Sequence, residues 1–170
     1  MLLLVGILTI FADPGAGDRG GNPNDGENYA LLLAEIQIKM YETNMKYIVS
    51  CTTPSSYYYL QNFVLFTMMA YVDFTNLMAY DLHGTWDGPK DLIGSIVLAH
   101  TNLTEIQAAL DLFWRVGVDP AKINLGIGFY GRAFQLSDPS CWQPGCPFKG
   151  GANPGQVSPV SNNNDGQTDT

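Results

Sequence analysis

The chain opens on an unbroken apolar run, "MLLLVGILTIFA" over residues 1–12, which stops at Asp13-Pro14 and gives way to a glycine-rich polar loop, "PGAGDRGG". A transmembrane helix needs about 20 apolar residues, so the run is too short to span a membrane. A secretion signal needs a shorter apolar core, but no basic residue precedes this one and no clear small-x-small cleavage site follows it. A buried parallel strand, apolar on both faces, explains the run at least as well and is the reading adopted.

Downstream, "NPNDGENYALLLAEIQIKMYET" sets Tyr29, Leu32, Leu33, Ile36 and Met40 along one face of a helix with a polar start. "KYIVSCTTPSS" is an apolar, β-branched run closed by Pro54, and it predicts a strand in which Cys51 is a small buried residue. A short helix around Leu65, Met68 and Met69 leads to the strand "YVDFTNLMAYD". The clearest punctuation belongs to "TNLTEIQAALDLFWRVG", with Asn102 as N-cap, Glu105 three residues on, and Gly117 just past the end. "KINLGIGFYGRAF" predicts one further, glycine-rich strand. Strand and helix alternate about four times, the signature of a parallel α/β sheet with right-handed crossovers. Beyond Phe134, Ser, Pro, Gly and Asn dominate, so residues 1–155 are read as the folded domain and 156–170 as an irregular tail.

Composition narrows the partners. The chain has 170 residues, 46% of them hydrophobic, ample for a core. A net charge of -8 repels phosphate backbones, so nucleic acid is not expected. Nine Tyr, eight Phe and three Trp include several beside glycines in loops, where a ring can stack on a sugar. Cys141 and Cys146 lie in one loop, "DPSCWQPGCPF", where Pro144-Gly145 can turn the chain back on itself to allow a local disulfide. Neither these cysteines nor His83 and His100 show the spacing of metal ligands, so no metal is expected. "GIGFYG" lacks the glycine spacing and the following helix of a dinucleotide loop, and no cofactor is expected. Asn102-Leu103-Thr104 also reads as a glycosylation acceptor, although its place at a helix start favours the capping role.

In parallel α/β folds, function collects at the carboxyl ends of strands. Period-two spacing puts Asn76, Met78 and Tyr80 on one face, with Asp81 closing the strand beside a loop that carries His83 and Trp86. Tyr and Asp can bind one polar ligand while Met and Trp wall it. The plainer alternative is a packed Met, a surface Tyr and an Asp that caps the loop. On the glycine-rich strand, Gly126, Gly128, Tyr130 and Arg132 share a face, either reaching a ligand or packing a crowded interior with a structural ion pair.

Several segments together resemble glycoside hydrolase family 18 chitinases, most of all those of fungi: "NLMAYDLHGTWD", "LGIGFYGRAF", "HTNLTEIQAALDLFWRVGVDPAKINLG" and "LSDPSCWQPGCPFKGGANPG", with "PGAGDRGGNPNDGENYALLL" and "TTPSSYYYLQNF" in the same order. The resemblance runs from about Asp13 to about Gly155. It implies a TIM barrel that cleaves β-1,4 bonds between N-acetylglucosamine units by substrate-assisted retention, here an incomplete copy covering roughly strands four to seven. By the same resemblance Tyr80 and Asp81 hold and polarise the acetamido group, and Met78 lines its pocket. Tyr130 and Arg132 then contact the sugar, while Trp86 stacks on it. The partners implied are chitin or N-acetylglucosamine oligomers, and the location implied is extracellular.

One family signature is missing. Counted back from Pro14, the D-x-x-D-x-D-x-E pattern that ends in the proton donor falls on Val5, Leu8, Ile10 and Ala12. Asp13 is one residue too far, which on a strand turns its side chain to the opposite face. Three expectations compete: a chitinase relative without its catalytic acid and inactive as written, a lectin-like binder of chitooligosaccharides, and an unstable product with no independent role.

Overall fold

The computed structural model describes residues 6–10, 13–43, 47–152 and 167–169, the first and last of these as backbone only. Two compact units divide the chain, one holding residues up to 78 together with 106–126, the other 79–105 together with 127 onward.

The first unit is a parallel α/β sheet. Its strands are β1 (Gly6–Ile10), β2 (Tyr47–Pro54), β3 (Phe74–Met78) and β4 (Ile123–Leu125), hydrogen-bonded in that order as an open sheet. The registers run Gly6↔Tyr47 to Ile10↔Cys51, then Ser50↔Phe74 to Pro54↔Met78, then Thr75↔Ile123 to Leu77↔Leu125. The parallel α/β expectation holds, and the apolar opening run supplies the strand it was read as. Helix α1 (Asp25–Glu42) crosses from β1 to β2, and the short helices α2 (Tyr57–Leu60) and α3 (Leu65–Met68) cross from β2 to β3.

Burial alternates along β3, whereas β2 buries Val49, Ser50 and Cys51 in succession. On β3, Thr75 and Leu77 are buried while Phe74, Asn76 and Met78 are half-buried. The buried face carries two hydroxyls, and each finds a partner: Thr53 Oγ1 lies 3.0 Å from Thr75 Oγ1, which donates to the Cys51 carbonyl at 3.2 Å. Cys51 is fully buried there, as expected. Lys122 Nζ donates to the Met69 and Val72 carbonyls at 2.6 and 3.1 Å, tying the approach to β4 to the turn before β3.

Helix α1 differs from its expected face in one position. Gly26, Tyr29, Ala30 and Leu33 are buried, whereas Leu32 is 49% exposed. Gly26 sets the rotation: a Cβ there would sit 2.1 Å from the Asn62 carbonyl oxygen, so the helix touches its neighbour along the row of Gly26. Leu33 stands on that row and Leu32, about 100° around the helix, does not.

Helix α4 (Leu103–Arg115) buries Ile106, Ala109 and Phe113. Asn102 Oδ1 accepts from the amides of Thr104 at 2.9 Å and Glu105 at 3.4 Å, the N-cap expected, and Gly117 takes a positive φ of 76° after the last turn.

The second unit holds short antiparallel pieces. β5 (Tyr130–Arg132), β6 (Phe134–Leu136), β7 (Phe148–Gly151) and β8 (Gln167–Asp169) pair as β5 with β8 and β6 with β7. The single strand expected over "KINLGIGFYGRAF" is thus three, β4, β5 and β6, in three different sheets. Glycines 126, 128 and 131 give no side chain to hold one sheet through the segment. The stretch read as an irregular tail contains β8; the rest of 156–170 lies outside the described residues. Cys141 and Cys146 form a disulfide with Cα atoms 5.6 Å apart, around a turn in which Gly145 takes φ +95°. No helix among the described residues is long and apolar enough to cross a membrane.

The two adjacent leucines of α1 separate these rotations by experiment. Leu33→Ala should cost about 2–5 kcal/mol and Leu32→Ala no more than about 0.5 kcal/mol, measured by urea unfolding. Equal losses would mean that the helix buries the other face.

Candidate functional site

The chain leaves β3 at Met78, earlier than the alternation of "NLMAYD" predicts, so Tyr80 and Asp81 stand beyond the strand rather than on it. Asp81 takes φ +59°, the only positive φ at a non-glycine residue described. Such a conformation is uncommon outside glycine and persists where surroundings hold it. Here the Asp81 amide donates to His100 Nδ1 at 3.2 Å, and the Asp81 carboxylate accepts from Arg132 Nη2 at 2.6 Å and Nε at 3.1 Å.

Arg132 is the centre of the cluster. Its side chain is 8% exposed, against 38% for Asp81. The guanidinium carbon lies 4.8 Å from the Trp86 ring centroid and 5.2 Å from that of Tyr130, so flat faces and one carboxylate replace the water it gave up. Tyr130 is held in turn. Its ring stacks on His100 at 4.9 Å and meets Tyr80 edge-on at 6.1 Å. Burial, followed by a hydrogen bond to the Asp81 carboxylate, pushes the Tyr130 phenol above the ordinary tyrosine range. It therefore serves as a hydrogen-bond donor at any working pH.

His100 Nε2 lies 3.0 Å from the Tyr130 carbonyl, so it donates there while Nδ1 accepts from Asp81. Both ring nitrogens are spent on protein partners. Gly128 allows the rings to meet: a Cβ at this position would lie 3.2 Å from each of His100 Cε1, Tyr130 Cε1 and Tyr80 Cβ.

Trp86 is 49% exposed and sits in a closed turn. The Asp87 amide donates to the Gly84 carbonyl at 3.1 Å, and Asp87 Oδ2 accepts from the Gly84 amide at 3.3 Å. The indole lies directly over Gly84, where a Cβ would fall 2.4 Å from two ring carbons. His83, beside it, is 4% exposed and bridges Asp87 and Glu105. Glu105 thus does not close a capping box back onto Asn102, as its spacing suggests; its carboxylate is turned to His83.

Of the residues singled out in the sequence, Tyr80, Asp81, Trp86, Tyr130 and Arg132 all lie in the second unit, and contacts join all five. Met78 ends β3 in the first unit, half-buried on the face of Asn76. Ala12 lies outside the described residues. Asp13 is described, and its carboxylate pairs with Arg19. The sequence places Gly128 on the face of Tyr130 and Arg132 and weighs His83 and His100 only as metal ligands, without showing the contacts that His83 and His100 make. Apart from Asp87, four residues from His83, the partners of the two histidines lie 19 to 30 positions away, and no local pattern announces them. Among the described residues no group of three or more His, Cys, Asp or Glu is placed to hold a metal.

The Trp86 platform has a direct test. Gly84→Ala puts a methyl group where the indole lies, so the ring must swing off Arg132 at a cost of about 1–3 kcal/mol. With Trp114 and Trp142 replaced by Phe, the emission of Trp86 should change while the far-ultraviolet circular dichroism does not. Unchanged emission would mean that the ring does not rest on Gly84.

Comparison with known proteins gives this cluster its context. Secreted chitinase LysM12 of Penicillium expansum is 34% identical over 136 residues, which is 76% of this chain and 9% of that protein, so the chain spans a small part of its relative. The crystal structure of Ostrinia furnacalis Group IV chitinase superposes with a TM-score of 0.74 at 23% identity, over 95% of this chain and 44% of that one. A mutant of catalytic domain 2 of the Ostrinia furnacalis Group II chitinase, solved in complex with a chitin oligomer, (NAG)5, superposes with a TM-score of 0.64 at 21% identity, over 80% of this chain and 36% of that one. The family model described as glycosyl hydrolases family 18 matches residues 13–168, nearly the whole sequence and every residue of the cluster, and the chain belongs to that family.

Proposed function

We infer that this chain recognises β-1,4-linked N-acetylglucosamine oligomers and cleaves them poorly or not at all. The observation that carries the reading is the half-exposed Trp86 indole, fixed over Gly84 with Arg132 against its ring, in one unit with Tyr80 and Asp81. The C–H face of a pyranose stacks on such a ring without having to order it first. Asp81 is the more exposed member of its ion pair, so its carboxylate can accept the N–H of an acetamido group. The solved relative that holds a chitin oligomer supports the ligand class.

Substrate-assisted cleavage asks two things of a protein. The acetamido oxygen must be aimed at the anomeric carbon, which Tyr80 and Asp81 are suited to do, and the departing oxygen must receive a proton. At the family's proton-donor position this sequence has Ala12, whose methyl group has no proton to give. The adjacent Asp13 is engaged with Arg19. Loss of a general acid typically removes about 100- to 10,000-fold of rate. In this reading β1 to β4 correspond to strands four to seven of a TIM barrel, residues 1–155 to part of the catalytic domain, and 156–170 to a tail. A disulfide in the second unit and a relative named as secreted support an extracellular setting.

Two measurements test this function. Titration with tri-N-acetylchitotriose should quench or shift tryptophan emission, with affinity about tenfold weaker in Trp86→Ala, the equivalent of about 1.4 kcal/mol. A flat titration of the unsubstituted chain removes the binding reading. Turnover of a fluorogenic chitobioside should be at background and should rise in Ala12→Glu; brisk turnover by the unsubstituted chain would show that the proton comes from elsewhere.

A further inference from the structure

Each nitrogen of the buried His83 ring meets a carboxylate. Nδ1 lies 2.9 Å from Asp87 Oδ2, and Nε2 lies 2.9 and 3.0 Å from the two oxygens of Glu105. A neutral imidazole carries one N–H, so one carboxylate would face a nitrogen lone pair; only the imidazolium satisfies both. Asp87 is also the residue that closes the turn on Gly84, and Trp86 lies within that turn. The charge on one ring therefore bears on the geometry of the exposed indole three residues away.

We propose that His83 is a protonation-dependent positioning residue: as an imidazolium it bridges Asp87 and Glu105 and holds the Trp86 turn closed for sugar stacking, and loss of its proton loosens the platform. The sugar-binding half rests on the function inferred above; the positioning half does not. Loss of the proton leaves one carboxylate repelled by a lone pair. With its one remaining proton on Nε2 the ring keeps Glu105, and Asp87 Oδ2, which takes both Nδ1 and the Gly84 amide, is pushed off the ring and releases Gly84.

The electrostatics agree. Burial works against the charged ring, but hydrogen bonds and charge from Glu105 and Asp87 outweigh it and raise the His83 pKa above the ordinary histidine value. Arg132, against Trp86, and its partner Asp81 are the charged groups that face the turn through the indole. Because the folded-state pKa is raised, the stabilisation from His83 is complete below the unfolded-state value and is lost as pH rises through the folded-state value. Oligomer binding should therefore be tighter on the acid side of that transition.

The test uses the full chain with Trp114→Phe and Trp142→Phe, so that emission reports Trp86 alone. Without ligand, emission should titrate with the midpoint that nuclear magnetic resonance gives for the His83 ring protons. Affinity for tri-N-acetylchitotriose should fall about tenfold across it. In Glu105→Gln the neutral ring can donate to Asp87 and accept from the new amide, so the turn stays closed and both pH dependences should flatten. Emission that stays constant while His83 titrates, or full pH dependence retained in Glu105→Gln, overturns the proposal. Emission that follows His83 in a chain that binds no oligomer at any pH upholds the positioning and sinks the sugar reading instead.

Discussion

The second unit is organised around a buried cation. An arginine side chain 8% exposed has lost much of its water, and its charge is tolerated where a counter-ion and polarisable faces replace the loss. Asp81 supplies the counter-ion, and Trp86 and Tyr130 supply the faces. Each then needs its own support. Asp81 reaches Arg132 from a backbone with φ +59°, held by His100; Tyr130 lies between His100 and Tyr80, and Trp86 lies over Gly84. The residues of the candidate site are therefore also the residues that make the unit cohere. Removing Asp81 would leave the Arg132 charge without its counter-ion, so a substitution there is felt in the fold of the unit. Trp86 is different, because half of it faces solvent.

This dual role explains why sequence gave two readings of the same residues and why neither excluded the other. A ligand cluster and a structural ion pair were set as alternatives for Tyr130 and Arg132. The structure contains the ion pair, with Asp81 as its partner, and the pair leaves Trp86 and part of Asp81 accessible. Preorganisation costs a site some of its own polar groups, and here Arg132 is the group given over to support.

Legibility in the sequence followed the range of the cause. The N-cap at Asn102, the end of α4 before Gly117, the disulfide turn and the strand closed by Pro54 are set within a few residues, and the pattern shows them. The rotation of α1 was missed because it depends on Gly26 meeting Asn62, a contact that hydrophobic spacing does not encode. "KINLGIGFYGRAF" was read as one strand because its spacing is strand-like throughout, while its three pieces find partners as distant as residue 167. His83 and Glu105 are 22 residues apart, and each had a satisfactory local explanation. Local explanations conceal long-range ones when a residue can serve either.

The placement of the chemistry also bears on how a member of this family can change function. Tyr80, Asp81, Trp86, Tyr130 and Arg132 belong to one compact unit that is held together by its own contacts. Recognition and proton transfer thus rest on different physical supports. Stacking and acetamido binding need several groups that hold one another in place. A general acid is one side chain, and a single codon removes it. Under the function proposed above, losing the acid costs one side chain, whereas losing the platform means undoing the Arg132 contacts that hold its unit together.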